Sequence, residues 1–364
     1  MNKKVLFFID SLGSGGAQRQ MVTMAKAFIK LNIEVDFLTY YKYDFFGNEL
    51  KGLGIKNNTI VEPSYFKRIL KVRKFIRQGE YDVVISFLSG PSFMSELATL
   101  PYKSWKLIVG ERSANPIMMR SWKFIMFRFF HLLSDKVVTN SIENKKMVAK
   151  TNPLLSNSKL HCVYNSIDLD YWCVSEDYKF VEDSKFKLVV PASHHELKNL
   201  KGLIEAIKIL PKAYRDKLKV CWYGKELDES KIKGMKKIEE YGLQANFEFF
   251  KPTNNIKTII QTADAVGLFS HYEGLSNSIC EGMACGKPII ATKVSDNSIL
   301  LKNSPELLCN PKDYVSIKES LVYLLDCKKK KLINIGKKNR VFAEEHFEIK
   351  KNIQLYLNLI KENE

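Results

Sequence analysis

Short apolar runs alternate with amphipathic stretches along this chain of 364 residues. VLFFID (Val5–Asp10) reads as a strand, a Gly-rich turn (SLGSGGAQ) follows, and a helix-periodic stretch continues to about Ile29. EVDFLTY (Glu34–Tyr40), YDVVISF (Tyr81–Phe87), KLIVG (Lys106–Gly110) and KVVTN (Lys136–Asn140) read as further strands, with a basic helix at Phe66–Gln78. The series then restarts with FKLVVPA (Phe186–Ala192), KVCWYG (Lys219–Gly224), NFEFF (Asn246–Phe250), AVGLFS (Ala265–Ser270) and KPIIAT (Lys287–Thr292). Strands separated by helices predict βαβ units and parallel sheets. The length is too great for one ordinary core. The expected architecture is therefore α/β, with two doubly wound domains facing across a cleft. They span 1–170 and 171–340, divided at the polar stretch Asp168–Lys185. The last segment, 341–364, reads as a helix (Arg340–Lys361) packing back on the first domain. Such sheets bind ligands at the carboxyl ends of their strands.

One stretch carries candidate chemistry: HYEGLSNSICEGMACGKPIIAT, His271–Thr292. His271–Ser276 is the loop after a strand. Ser276 or Asn277 suits a helix N-cap, the helix runs to about Cys285, and Gly286 stands just past its end. Free N–H groups at such a helix start can hold a phosphate. Glu281, one turn in on the Ser278 face, can accept hydrogen bonds from a pair of hydroxyls, as on a ribose. Glu273, in the loop, lies on the other side of the phosphate. Spaced glutamates on helices are usually solvated, but strand, Gly-containing loop, helix and strand in succession favour a ligand. Ribose, diphosphate and sugar is the layout of a nucleotide sugar.

The charge widens the range of partners. Lys and Arg number 57 against 40 Asp and Glu, a net +17. That favours nucleic acid, a membrane surface or phosphorylated small molecules. No nucleic-acid-binding module is visible, and none is expected as a partner. The seven cysteines show no CxxC spacing and read as reduced thiols. MNKKVLFFID has too short an apolar run for a signal peptide, and no run has the ~18 apolar residues of a membrane span. The expected place is the cytoplasm, with one possible membrane face. In IMMRSWKFIMFRFFHLL (Ile117–Leu133), a helical period of ~100° puts Arg120, Lys123, Arg128 and His131 on one side, with Phe124 and Phe127 between them. A helix lying at an anionic bilayer has that mixture, and the same basic side suits a polyprenyl diphosphate. Burial of the segment is the competing reading. Phe66–Arg77 adds Lys67, Lys71 and Lys74 on one side of a second helix. GSGG is not a dinucleotide fingerprint, because Gln18 occupies the third glycine position.

EGLSNSICEGMACGKPIIAT resembles the signature of family 4 glycosyltransferases, the large retaining group of the GT-B fold, whose two domains are Rossmann-like. SLGSGGAQRQ resembles that family's first Gly-rich loop, and VYNSIDLDYW its interdomain linker. LKNLKGLIEAIKIL resembles the helix start of its donor domain. GERSANP resembles a segment of members that build bacterial surface polysaccharides and glycolipids. The resemblance implies transfer of a hexose or N-acetylhexosamine, with retention, from a nucleotide sugar to a lipid-linked (polyprenyl diphosphate) saccharide. A UDP-sugar is favoured. The alternatives are a GDP-mannose-type donor, or a sugar-nucleotide-binding protein or epimerase without transferase activity. No cofactor and no metal are implied. The first domain would bind the acceptor and the second the donor, at the cytoplasmic face of an anionic inner membrane.

By the same resemblance Glu273 contacts the donor sugar and supports the developing charge, and Glu281 binds the ribose. Gly274, Leu275, Ser276 and Asn277 give backbone contacts, Lys198 pairs with the diphosphate, and Gly15 and Gly16 let the first domain approach the donor. The chain also departs from the pattern. An arginine is usual five residues before Lys198, where Ser193 stands; His194 and His195 beside it either donate or simply shape the loop. Ser86 and Ser89 stand where many members carry a histidine, and Gln18 replaces a common glutamate. Glu111 and Arg112 remain as acceptor-side candidates, or as a structural ion pair at a strand end.

Overall fold

The computed structural model describes residues 3–175 and 185–362. Part of the predicted boundary stretch Asp168–Lys185 therefore lies outside the described residues. The chain forms two compact units. One runs to Ser166 and takes back the chain from Ile349 onward; the other is Ile167–Glu348.

The first unit is built on β1 (Lys4–Phe8), β2 (Glu34–Thr39), β3 (Lys56–Thr59), β4 (Val83–Phe87), β5 (Lys106–Glu111), β6 (Lys136–Thr139) and β7 (Leu160–Cys162). Their order is β3-β2-β1-β4-β5-β6-β7, and every pairing is parallel. The run KVLFF has no polar interior residue because both faces of β1 are covered. Val5 and Phe7 enter one core with Phe28; Leu6 and Phe8 enter the opposite core with Val72, Ile76 and Met94.

The second unit is built on β8 (Phe186–Pro191), β9 (Leu218–Tyr223), β10 (Phe247–Phe250), β11 (Ala265–Leu268), β12 (Ile289–Thr292) and β13 (Leu308–Cys309). Its order, β10-β9-β8-β11-β12-β13, is again parallel throughout. Strand order reverses at β1/β4 in one unit and at β8/β11 in the other. A crevice forms at the carboxyl ends of such a pair. All seven cysteines are free thiols.

Three strands were not legible as apolar runs. β3 reads KNNT and sits at the sheet edge, largely exposed; β7 has three residues and β13 two. The predicted helix Arg340–Lys361 is two helices, Lys329–His346 and Ile349–Lys361. Between them Phe347 is fully buried, and its carbonyl accepts from Ile167 N at 2.8 Å. The second helix places Ile353, Tyr356, Leu359 and Ile360 in the core with Val5 and Phe7. The predicted single helix Ile117–Leu133 is also broken. It is a 3-10 turn at Pro116–Met119, an α-helix at Trp122–Phe129 and a 3-10 turn at Phe130–Leu133. A change to three residues per turn destroys the ~100° register on which its basic side depended.

Candidate functional site

In the second unit the loops after β8 and β11 flank the switch point. The β8 loop ends in a 3-10 turn, Glu196–Lys198, and Asn199 in the left-handed conformation (φ 58°) opens the next helix, Leu200–Lys208. Asn199 Oδ1 caps that helix on Gly202 N at 3.0 Å. This turn aims Lys198 at the β11 loop. Its Nζ donates to Glu273 Oε1 at 2.5 Å, and Ser270 Oγ donates to the same oxygen at 2.7 Å. Ser270 is fully buried, and Thr292 Oγ1 donates to its carbonyl at 2.7 Å. The Lys198 and Glu273 side chains keep 19% and 14% exposure. Glu273 is thus oriented through one oxygen at a position that solvent reaches.

The helix after this loop is Asn277–Ala284, with Ser276 at its N-cap and Cys285 at its C-cap. The Ser276 side chain makes no cap hydrogen bond. Ser278 Oγ instead ties the first turn to Pro191 O of β8 at 2.5 Å, and Ser295 Oγ donates to Gly274 O. Leu275 is buried. A Cβ on Gly282 would lie 2.8 Å from Ile289 and 3.1 Å from Val266, so glycine lets the helix rest on β11 and β12. At the other end Arg340 Nη1 donates to Ala284 O at 2.7 Å, a cation where the helix dipole favours one. Glu281 is 3% exposed, so the carboxylate assigned to ribose is buried one turn inside the helix.

The two histidines beside Ser193 shape the loop. His194 is 1% exposed, its ring stacked 5.7 Å from Trp222 and edge-on to Phe249 at 5.4 Å, and burial lowers its pKa. His195 Nδ1 accepts from Leu197 N at 3.1 Å. On the same carboxyl edge, at the ends of β9 and β10, a cavity of about 590 Å³ is lined by Tyr223, Phe250, Lys251, Pro252 and Thr253. The Tyr223 and Phe250 rings stack at 4.5 Å. The sequence reading missed Ser270 and this cavity. A hydroxyl three residues before Glu273 was the available signal for the first.

In the first unit the candidates separate. Glu111 and Arg112 do not pair with each other. Glu111 is buried; its Oε2 accepts from Arg128 Nη2 at 3.2 Å, and its Oε1 meets His131 Nε2 at 3.2 Å. His131 Nδ1 lies 2.6 Å from Glu96 Oε1. Burial opposes the charge on Glu111, but Arg128 and His131 outweigh it and bring its pKa down to about 2. Burial likewise opposes the charge on His131, and the two glutamates hold its pKa up at about 9. Arg112 Nη2 donates to Tyr356 Oη at 2.6 Å, with its guanidinium 3.7 Å from the Phe87 ring centroid.

This corrects the membrane face. Arg128 is 1% exposed, and Phe127 is buried and stacked on Phe93 at 4.6 Å. Two carboxylates in the core draw Arg128 and His131 inward. Phe124 is half-buried, while Arg120 and Lys123 stay exposed beside Trp122, which is 77% exposed. Other exposed apolar groups include Tyr41, Tyr43 and Phe45 after β2, and Phe66 and Leu70 on the Tyr65–Gln78 helix. The run YYKYDFF carried that signal unread. Gly15 is the N-cap of the helix Gly16–Lys30. Gln18 folds back over Gly15, where a Cβ would lie 2.3 Å from Gln18 Oε1.

The sequence model for glycosyl transferases group 1 matches residues 173–342, and that for Glycosyltransferase Family 4 matches residues 14–171. This chain is a family 4 glycosyltransferase of the GT-B fold. A relative in Campylobacter jejuni is 24% identical over 99% of this chain and 98% of its own length. It is named GalNAc-alpha-(1->4)-GalNAc-alpha-(1->3)-diNAcBac-PP-undecaprenol alpha-1,4-N-acetyl-D-galactosaminyltransferase. A second enzyme of that organism is 24% identical over 80% of each chain. It is named for 4-alpha-N-acetylgalactosaminyl transfer to N-acetylgalactosamine-N,N'-diacetylbacillosaminyl-diphospho-undecaprenol. The crystal structure of Anabaena HepE with UDP and glucose superposes on this glycosyltransferase with a TM-score of 0.85, at 17% identity, over 98% of each chain. These relatives replace the epimerase and binding-protein alternatives with a glycosyltransferase.

Proposed function

We propose that this glycosyltransferase moves a hexose or N-acetylhexosamine, with retention, from a nucleotide sugar to a lipid-linked saccharide of bacterial glycan assembly. UDP is the favoured nucleotide. The observation that carries the reading is the Lys198–Glu273–Ser270 cluster at the β8/β11 switch point, beside the start of the Asn277–Ala284 helix. The names of the relatives support the lipid diphosphate acceptor and N-acetylhexosamine class.

Without a donor, Lys198 and Glu273 neutralise each other. A diphosphate competes for Lys198, because charge-assisted bonds to phosphate are among the strong ones. Lys198 and the helix N–H groups then stabilise charge on the leaving nucleotide, so we propose no metal requirement. Glu273, released from Lys198 and still held by Ser270, turns toward the sugar. Glu281 takes the ribose, and the cavity beside Tyr223 and Phe250 takes the base. Gly274 to Asn277 contribute backbone contacts.

The membrane face is proposed on the first unit, at the strand-end side. Tyr41, Tyr43, Phe45, Phe66 and Trp122 would enter the interface, with Lys67, Lys71, Arg120 and Lys123 at anionic headgroups. Among the described residues no helix is long and apolar enough to cross a membrane. The deciding experiment combines UDP- and GDP-sugars with a polyprenyl-diphosphate-linked disaccharide ending in N-acetylgalactosamine. Release of UDP with growth of the saccharide by one sugar is expected, and it persists in EDTA. Absence of transfer from every donor would remove the reading.

A further inference from the structure

The carboxylate first considered for the acceptor side, Glu111, has both oxygens engaged in the core. Another stands at the switch point of the first unit. Asp10 follows β1, and its backbone carbonyl accepts from Tyr40 N at 3.1 Å and Tyr41 N at 2.9 Å, which pins it to the end of β2. Its Oδ1 accepts from Gln18 Nε2 at 3.0 Å and from Ser11 Oγ at 3.3 Å. Oδ2 has no hydrogen bond among the described residues, and the side chain is half-buried rather than enclosed. Two donors on one oxygen fix the rotamer and leave the other oxygen to accept.

The opposite wall of this crevice is held in strain. Leu88, just after β4, has φ 75° and ψ 151°, a conformation essentially confined to glycine. It turns the chain so that Gly90 meets the Tyr40 phenol, where a Cβ would lie 2.9 Å from the oxygen. Burial, and next the Asp10 carboxylate, keep that phenol protonated. Asp10, Tyr40 and Gly90 thus converge across β1 and β4, where doubly wound sheets take their ligands. Gln18 is neutral, so the charge at this contact stands on Asp10 alone.

We infer that Asp10 binds a hydroxyl of the acceptor saccharide through Oδ2. This rests on the proposed transfer and on the first unit as its acceptor side.

The test uses the full chain, UDP-N-acetylgalactosamine and the polyprenyl-diphosphate-linked disaccharide named above. Asp10→Asn should lower kcat/KM for the disaccharide about tenfold or more, the loss of a hydrogen bond to a charged group. UDP affinity should stay at the parent value. The double variant Asp10→Asn/Gln18→Glu, which returns the charge across the same hydrogen bond, should recover part of the loss. Parent-like acceptor kcat/KM in Asp10→Asn, an equal fall in UDP affinity, or no recovery in the double variant would each overturn the assignment. Should Asp10→Asn fail to fold, Asp10→Glu is measured instead, and parent-like acceptor kcat/KM there contradicts it. No transfer by the parent itself would count against this donor and acceptor pair in the proposed function, an outcome separate from these.

Discussion

The two units share a topology but use charge at their strand ends in opposite ways. After β8 and β11, Lys198 and Glu273 meet within reach of solvent, with Ser270 on the same carboxylate oxygen. After β5, Glu111, Arg128 and His131 close on one another and on Glu96 inside the core. Both arrangements are charged residues near a carboxyl edge. Only the first leaves the charges able to change partners, a property that a ligand site needs and a structural network lacks. A pair that solvent reaches can yield to a diphosphate. A buried pair that loses one member leaves an uncompensated charge.

The largest effect should come from the buried network. Arg128→Ala should cost about 3–5 kcal/mol of stability in the first unit, read as a lower melting midpoint. An unchanged midpoint would move Arg128 back among the surface candidates.

How far the sequence spoke differs between the units for the same reason. The elements of the second were legible because strand, loop and helix start follow in order on one contiguous stretch, with Glu273 and Glu281 along it. The first was misread at Ile117–Leu133 because its partners are distant in sequence. Nothing local to Arg128 shows that Glu111 and Glu96 will draw it and His131 inward, and no helical wheel anticipates two 3-10 turns. β3 was missed because KNNT is an edge strand without an apolar face. Glu273 was legible as a carboxylate, but its pairing with Lys198, 75 residues away, was not.

Next in size, Glu273→Gln should lower kcat by on the order of a hundredfold, as removal of one preorganised electrostatic contact does. A variant turning over like the parent would place the reacting sugar elsewhere. Glu281→Ala should weaken UDP binding by about 1.5–3 kcal/mol, one charge-assisted hydrogen bond. Unchanged affinity in calorimetry would assign this buried carboxylate to the fold alone.

The network should also set a pH window. The His131 pKa is raised from 6.5 to about 9, so its contribution is complete below 6.5 and is lost as pH rises through about 9. The Glu111 pKa is lowered from 4.5 to about 2, so its contribution is complete above 4.5 and is lost as pH falls through about 2. His131→Gln should flatten the alkaline arm of melting midpoint against pH; an arm identical to the parent's would assign it to other groups. The smallest effect belongs to the surface. Lys123→Ser should weaken binding to vesicles containing anionic lipid by about 1 kcal/mol, more at low salt. Parent-like sedimentation would take that lysine out of the membrane face.

The most direct test of the proposed donor site is calorimetric titration of UDP into the parent, Lys198→Ala and Glu273→Gln. The exchange of partners predicts that Lys198→Ala weakens UDP binding about tenfold or more, the value of a charge-assisted bond. It also predicts that Glu273→Gln binds UDP at least as tightly as the parent, because the carboxylate no longer competes for the lysine. UDP affinity unchanged by Lys198→Ala, or lost in Glu273→Gln, would contradict it.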